Sequence, residues 1–248
     1  MLAAAVQFRP EWGQPDRNRA KLLLLIAQAA RTGAELVVLP EMCTTGYIFE
    51  NPDAIRPYCE DRQGRSVRFF QAQAEKYNLT LCFGWGEIEP DSGRLFNSAA
   101  VCRPAQEILF YRKRLLFEAD ETWAEPGDTP YPMWRSKEGL LCSLGICMDL
   151  NDDAFIAHLI AHQVRVVAFP TNWLEQGLRV WDYWAWRITG TRTCLVASNR
   201  YGTEQTTTFC GSSAVLDGRL LLAWTERTGD AVVSAFVPPD PSPLPDAP

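Results

Sequence analysis

Leu140-Leu-Cys-Ser-Leu-Gly-Ile-Cys147-Met-Asp-Leu-Asn151 is the stretch on which the reading of this chain turns. Leu140 to Ile146 is almost continuously apolar and is bounded by Gly139, the pattern of a short strand buried on both faces. Asn151, Asp152 and Asp153 follow. Such residues cap helices by accepting from free backbone N–H groups, so a helix is predicted over about 153–162. Cys147 therefore stands at a strand-to-helix elbow. The positive end of a helix is expected to lower a thiol's pKa there and favour the thiolate. Yet the chain holds eight cysteines, and most free cysteines are small buried hydrophobes. Position alone does not make Cys147 a nucleophile.

Two other polar residues occupy comparable places. Leu36-Val-Val-Leu-Pro40 reads as a core strand, and Glu41 follows it directly. A carboxylate at the carboxyl end of a buried strand lies where open α/β sheets place ligands. Partial burial there raises its pKa toward the range of a general base. Glu107 to Tyr111 reads as another strand, closed by Arg112-Lys113-Arg114. Each residue also has a plainer reading, a solvated loop acid or an ordinary basic strand end. Taken together, a thiol, a carboxylate and an ammonium at three strand ends can serve as nucleophile, base and oxyanion stabiliser.

At this point the chain resembles the nitrilase superfamily of carbon–nitrogen hydrolases. The resemblance rests on Leu39-Pro-Glu41 with Gly46-Tyr47, on Tyr111-Arg-Lys113 and on Gly145-Ile-Cys147-Met-Asp149, in that order and spacing. Pro170-Thr-Asn-Trp173, Arg187, Asn199-Arg-Tyr-Gly202 and Gly211-Ser-Ser213 fit as well, and the likeness runs from Gln7-Phe8 to about Phe236. It implies an α/β fold, a four-layer α-β-β-α sandwich, where strand–helix alternation alone would equally allow one doubly wound sheet. It also implies that Cys147 attacks a carbonyl, that Glu41 moves the protons, and that Lys113 and the backbone N–H of Met148 hold the oxyanion. Relatives carry a second acid between the lysine and the cysteine. Glu121 is the choice here because Asp120-Glu-Thr-Trp123 matches an amidase-like segment, with Asp120 the runner-up. Tyr47, Trp123, Asn172 and Trp173 are expected around the substrate. Ala119 to Trp123 and Gly145 to Asn151 look most like amidases that deamidate N-terminal asparagine.

The expected function is hydrolysis of a small or terminal carboxamide through a thioester, with release of ammonia. A nitrilase or N-carbamoyl amino acid hydrolase using the same residues is the first alternative. A catalytically silent binding scaffold is the alternative of another class. Relatives pair through their long helices, so a homodimer or higher homo-oligomer is expected.

Composition fits. The chain has 248 residues, 47 % hydrophobic and 22 % charged, enough for a sizeable core. A net charge of −6 argues against nucleic acid as a partner. No apolar run reaches the roughly 18 residues of a membrane span. The dispersed cysteines, with no basic leader ahead of them, point to reduced thiols and a cytoplasmic location. There is no CxxC pair. His158 and His162 stand four apart but lack the glutamate of HExxH and a third ligand, so neither metal nor cofactor is expected. A papain-like pairing of Cys147 with either histidine lies outside the set that the resemblance implies. One catalytic domain is expected over 1–237, followed by a proline-rich tail, 238–248, read as flexible or extended.

Overall fold

The computed structural model describes residues 1–240. In chain order its strands are β1 (Leu2–Gln7), β2 (Leu36–Val38), β3 (Thr80–Ile88), β4 (Leu95–Cys102), β5 (Leu109–Arg112), β6 (Met133–Arg135) and β7 (Leu141–Leu144). They continue with β8 (Val166–Thr171), β9 (Cys194–Asn199), β10 (Tyr201–Glu204), β11 (Thr207–Cys210), β12 (Ala214–Asp217), β13 (Leu220–Trp224) and β14 (Ala231–Phe236). Two six-stranded sheets form, in the orders β14-β1-β2-β3-β4-β5 and β13-β12-β9-β8-β7-β6, with β10-β11 as a separate ribbon. The doubly wound alternative is thereby excluded.

Period-2 alternation explains the layering. Ala3, Ala5, Leu36, Val38, Cys82 and Val101 face the second sheet and share a core with Cys142, Leu144, Ala168 and Leu195. Their neighbours Ala4, Val6, Val37, Leu81 and Phe83 face outward, against Leu22, Ile26 and Ala29 of helix α1 (Pro15–Arg31) and against Val67 and Phe70. Strands buried on both faces read as continuous apolar runs rather than alternating ones. The central strands β1-β2-β3 and β7-β8-β9 pair in parallel and the outer ones antiparallel.

Five further helices follow, the first four being α2 (Pro52–Ile55), α3 (Arg65–Tyr77), α4 (Glu118–Glu121) and α5 (Asp153–Ala161). Asp152 caps α5 by accepting from Ala154 N at 2.9 Å, as its position in the sequence requires. The last helix, α6 (Val180–Arg187), is shorter than the 177–191 span its pattern predicts. The run from Phe209 to Leu216 predicts one continuous strand, and the structure corrects this. Gly211 and Ser212 take φ of +61° and +58°, which no strand can continue, and the chain splits into β11 and β12. Of the proline-rich tail, residues 238–240 are held: Arg165 donates to the carbonyls of Pro238 (3.0 Å) and Asp240 (3.4 Å). Residues 241–248 lie outside the description.

Candidate active site

Glu41, Lys113, Cys147 and Asn172 each follow the carboxyl end of a strand: β2, β5, β7 and β8. Tight packing brings the first of these inward. A side chain on Gly84 of β3 would sit 2.7 Å from the Glu41 Cα, so only glycine lets the two backbones approach this closely.

At the centre lies Lys113, wholly buried with both its partners. Its Nζ donates to Glu41 Oε1 at 2.7 Å and to Asp120 Oδ2 at 2.5 Å. Asn97, a polar residue in the middle of apolar β4, joins the same two acids. Its Nδ2 donates to Glu41 Oε1 at 2.7 Å and to Asp120 Oδ1 at 2.9 Å. Asp120 is fixed in turn by the Phe117 backbone N–H at 3.0 Å. Glu41 Oε2, buried, has no hydrogen-bond partner among the described residues. Burial raises the Glu41 pKa, against the opposing charge of Lys113, and the Asp120 charge raises it further. Burial works against the Lys113 charge, but Asp120 and Glu41 overcome it and hold the ammonium firmly protonated.

Cys147 opens a 3₁₀ turn, Cys147–Asn151, directly after the β7 strand end. Its φ is +45°, the left-handed region, which costs a residue with a Cβ about 1–2 kcal/mol and turns the thiol out of the strand's direction. Asp149 imposes this elbow. One of its oxygens accepts from Ile146 N (2.9 Å) and the Tyr111 hydroxyl (2.8 Å), the other from Arg114 N (3.2 Å) and Leu115 N (3.1 Å). The carboxylate thus ties the Cys147 turn to the strand end bearing Lys113. Burial pushes the Asp149 carboxyl up to about 6. From the other side, Arg187 Nε donates to Leu150 O at 2.7 Å and braces the end of the turn.

One expectation fails here. The thiol pKa is raised, not lowered: burial dominates, the Glu41 charge adds to it, and Lys113, Thr171 and the Asn172 backbone offset only part. A single turn of 3₁₀ helix carries too small a dipole to reverse a desolvation of this kind. Burial thus favours the neutral thiol over the thiolate.

Cys147 faces a cavity of about 240 Å³. Tyr47, Phe117, Met148, Trp173, Leu174 and Tyr183 supply its apolar wall, and Asn151, Asn172 and Gln176 its polar groups. Asn172 is buried, with neither end of its amide partnered among the described residues. Two placements differ from expectation. Glu121 is exposed on α4 and makes none of these contacts, whereas Asp120, one residue earlier, points inward to Lys113. Trp123 does not line the cavity. It is buried behind the wall, in a cluster with Tyr47 and Phe49. His158 lies on α5, with its Nε2 3.2 Å from Ser143 Oγ and its ring against Tyr131, and does not line the cavity either. A wider cleft of about 760 Å³, lined by Arg9, Trp12, Arg200 and Glu204 among others, contains none of the Cys147 set.

Sequence reading missed Asn97, Phe117, Asn151, Leu174, Gln176 and Tyr183, and the pair Arg200–Glu204. Glu204 Oε1 accepts from the backbone N–H of Tyr47 (2.8 Å) and Ile48 (2.6 Å), and its Oε2 from Arg200 at 2.8 Å, so the pair pins the Tyr47 wall. Asn97 alone left a readable signal, an amide inside the run Leu95-Phe-Asn-Ser-Ala-Ala-Val-Cys102.

A buried thiol, an ammonium and a pair of acids thus converge at the strand ends of a double-sheet sandwich. The family model of carbon-nitrogen hydrolases matches residues 2–234, and the chain belongs to that family. A protein N-terminal amidase of Schizosaccharomyces pombe is 29 % identical, over 90 % of this chain and 94 % of its own. A nitrilase of Pyrococcus abyssi is also 29 % identical, over 86 % of this chain and 79 % of its own. Among solved structures, an amidase from Nesterenkonia sp. superposes with a TM-score of 0.84 at 22 % identity, covering 97 % of this chain and 91 % of that one. The protein is a carbon–nitrogen hydrolase acting on bonds other than peptide bonds, and no helix among the described residues is long and apolar enough to cross a membrane.

Proposed function

We propose that the protein is an amidase that releases ammonia from a small or terminal carboxamide through a cysteine thioester. The observation that carries this reading is the split role of the Glu41 carboxylate. Oε1 is saturated by Lys113 and Asn97, while Oε2 is buried and unpartnered. An oxygen held this way is placed to take a proton rather than to hold structure. As Sγ of Cys147 forms its bond to the amide carbon, the thiol proton passes to Glu41. The carbonyl oxygen becomes an oxyanion held by Lys113 and the Met148 backbone N–H. Lys113 has three N–H donors, two spent on Glu41 and Asp120, which leaves one for this oxygen. Glu41 then protonates the departing nitrogen. Ammonia leaves, the thioester remains, and Glu41 draws a proton from water as it attacks the acyl carbon; the C–S bond then breaks, the carboxylic acid departs and Glu41 returns its proton to Sγ. Asp120 is the second acid of this reading, in place of Glu121, and acts by orienting Lys113.

The relatives support the amide over the nitrile: a protein N-terminal amidase, a 2-oxoglutaramate amidase and a citrullinase stand beside nitrilases. In a glutamate-to-glutamine variant of the Nesterenkonia amidase, the acetamide moiety of fluoroacetamide is added covalently at the active site cysteine. The test is ammonia release from terminal asparagine peptides, simple carboxamides, N-carbamoyl amino acids and a nitrile, with wild type and Cys147→Ala. Cysteine-dependent ammonia from a carboxamide is the expected result; turnover of the nitrile alone would reject the amidase reading. We also expect a homodimer or higher homo-oligomer, checked by light scattering, and a reducing cytoplasmic setting, in keeping with eight unpaired cysteines.

A further inference from the structure

The cavity in front of Cys147 has no formal charge on its wall. Among the described residues, its lining consists of aromatic, aliphatic and amide side chains around the thiol. Charged residues next in sequence to the lining are committed elsewhere or acidic. Glu175 pairs with Arg227 at 2.9 Å, Asp182 faces Arg179, and Asp152 accepts from Tyr131 and Ala154. Glu118, beside Phe117, is exposed. Of the nearby cations, Arg187 is held by Leu150 O and Asp153, and buried Arg200 lines the other cleft. The floor offers an acyl group no spare cation, because Lys113 stands between two carboxyl groups.

We infer that the site sorts amides by charge: it accepts acyl groups that are neutral or carry an ammonium, and rejects those carrying a carboxylate close to the amide. A carboxylate brought into this cavity would lose its water and gain no cation, a cost that proteins avoid. Aromatic faces are electron-rich and add repulsion. The same faces of Tyr47, Trp173 and Tyr183, with the amide oxygens of Asn151 and Asn172, suit an ammonium. Size sets a second bound. A cavity of about 240 Å³ lies below the roughly 300–1,000 Å³ of sites for drug-sized ligands. The substrate class is therefore a short carboxamide without a nearby carboxylate. An amino-terminal asparagine inside a peptide qualifies, because its carboxyl is already an amide. Free asparagine and the ω-amides of dicarboxylic acids do not. This rests on the amidase reading for turnover, but not for access to Cys147.

Two matched assays separate the inference from that reading. In the first, kcat/KM is compared between methyl succinamate and succinamate, and between asparagine N-methylamide and asparagine. In the second, Cys147 is alkylated by iodoacetamide or iodoacetate, each followed by peptide mass and scaled to its rate on glutathione. In both alkylations an S–C bond forms, iodide leaves and the thiol proton passes to base, so only the reagent's charge differs. The member without a carboxylate is expected to lead by about tenfold or more in each pair, and Gln176→Arg to narrow the gap. Equal scaled rates, a faster anion, or no labelling of Cys147 by either reagent would overturn the inference. A preserved alkylation ratio with no ammonia from any amide would instead reject the amidase reading and leave the charge selection standing.

Discussion

Arg112 and Lys113 are consecutive residues at one strand end, and both are buried among acids, yet their surroundings differ in kind. Arg112 donates to Glu87 at 2.7 Å, Glu89 at 2.9 Å and Asp128 at 3.1 Å, with Phe96 stacked 3.7 Å from its guanidinium. The second oxygen of Glu87 accepts from Ser98 at 2.6 Å, so that buried acid is satisfied at both ends. On the Lys113 side, Glu41 Oε2 and Asn97 Oδ1 remain unpartnered, and a cavity with a thiol lies alongside. One cluster is closed and structural; the other keeps unspent hydrogen-bonding capacity. Buried charge alone does not mark a reacting site, since folded proteins also bury pairs that only hold elements in register.

The comparison breaks most visibly through the nucleophile. Cys147→Ala is expected to lower kcat by about 10⁴-fold or more while shifting the thermal midpoint only slightly, because the change removes one small side-chain atom whose hydrogen bonds are with Thr171 and the Asn172 backbone. Glu41→Gln should follow, with a loss of about 10²- to 10⁴-fold. The pH profile adds a sign. Glu41 works ionised and its pKa is raised, so kcat/KM falls with acidification at a pH above its ordinary 4.5. The thiol works neutral and its own pKa is also raised, so thiol ionisation should cause no loss on the alkaline side up to its ordinary 9.0. An acid limb below 4.5 would show that the open oxygen is not the base.

Lys113→Met and Arg112→Met sharpen the contrast directly. Each strands buried acids and should destabilise the fold by about 3–5 kcal/mol, read from urea midpoints. Only the first removes an oxyanion donor, worth about 10²- to 10³-fold in kcat per folded molecule. Equal losses of kcat for the two variants would mean that both clusters serve the reaction, or that neither does.

How much of this was legible in the sequence depends on what kind of physics placed each residue. Strands buried on both faces announce themselves as apolar runs, and the polar residue after each run marks a sheet end. That logic reached Glu41, Lys113 and Cys147. It could not reach the thiol's raised pKa, because desolvation depends on long-range packing that no local pattern reports. Nor could it see the break at Gly211–Ser212, where hydrogen bonds of Ser213 to Asn199 and Gln7 replace those of a strand. The pocket wall drew on Gln176 and Tyr183, from a loop and a helix whose approach to the site is set by tertiary packing. On α4, adjacent acids differ by about 100° of rotation, so one enters the cluster and the next meets water.

That rotation yields the smallest and most discriminating test. Asp120→Asn keeps the side chain's shape and its acceptor for Phe117 N, but removes the charge facing Lys113. Loss of a charge-assisted hydrogen bond at this level corresponds to about 10- to 100-fold in kcat, with KM less affected because the cavity wall is untouched. Glu121→Gln, on the exposed side of the same short helix, should change kcat by no more than about twofold. The two substitutions share chemistry, sequence neighbourhood and helix, so steady-state kinetics on the pair isolates position. A larger loss in the Glu121 variant would place the second acid on the solvent side of α4, and the contacts of Lys113 with Asp120 would then be structural, like those of Arg112.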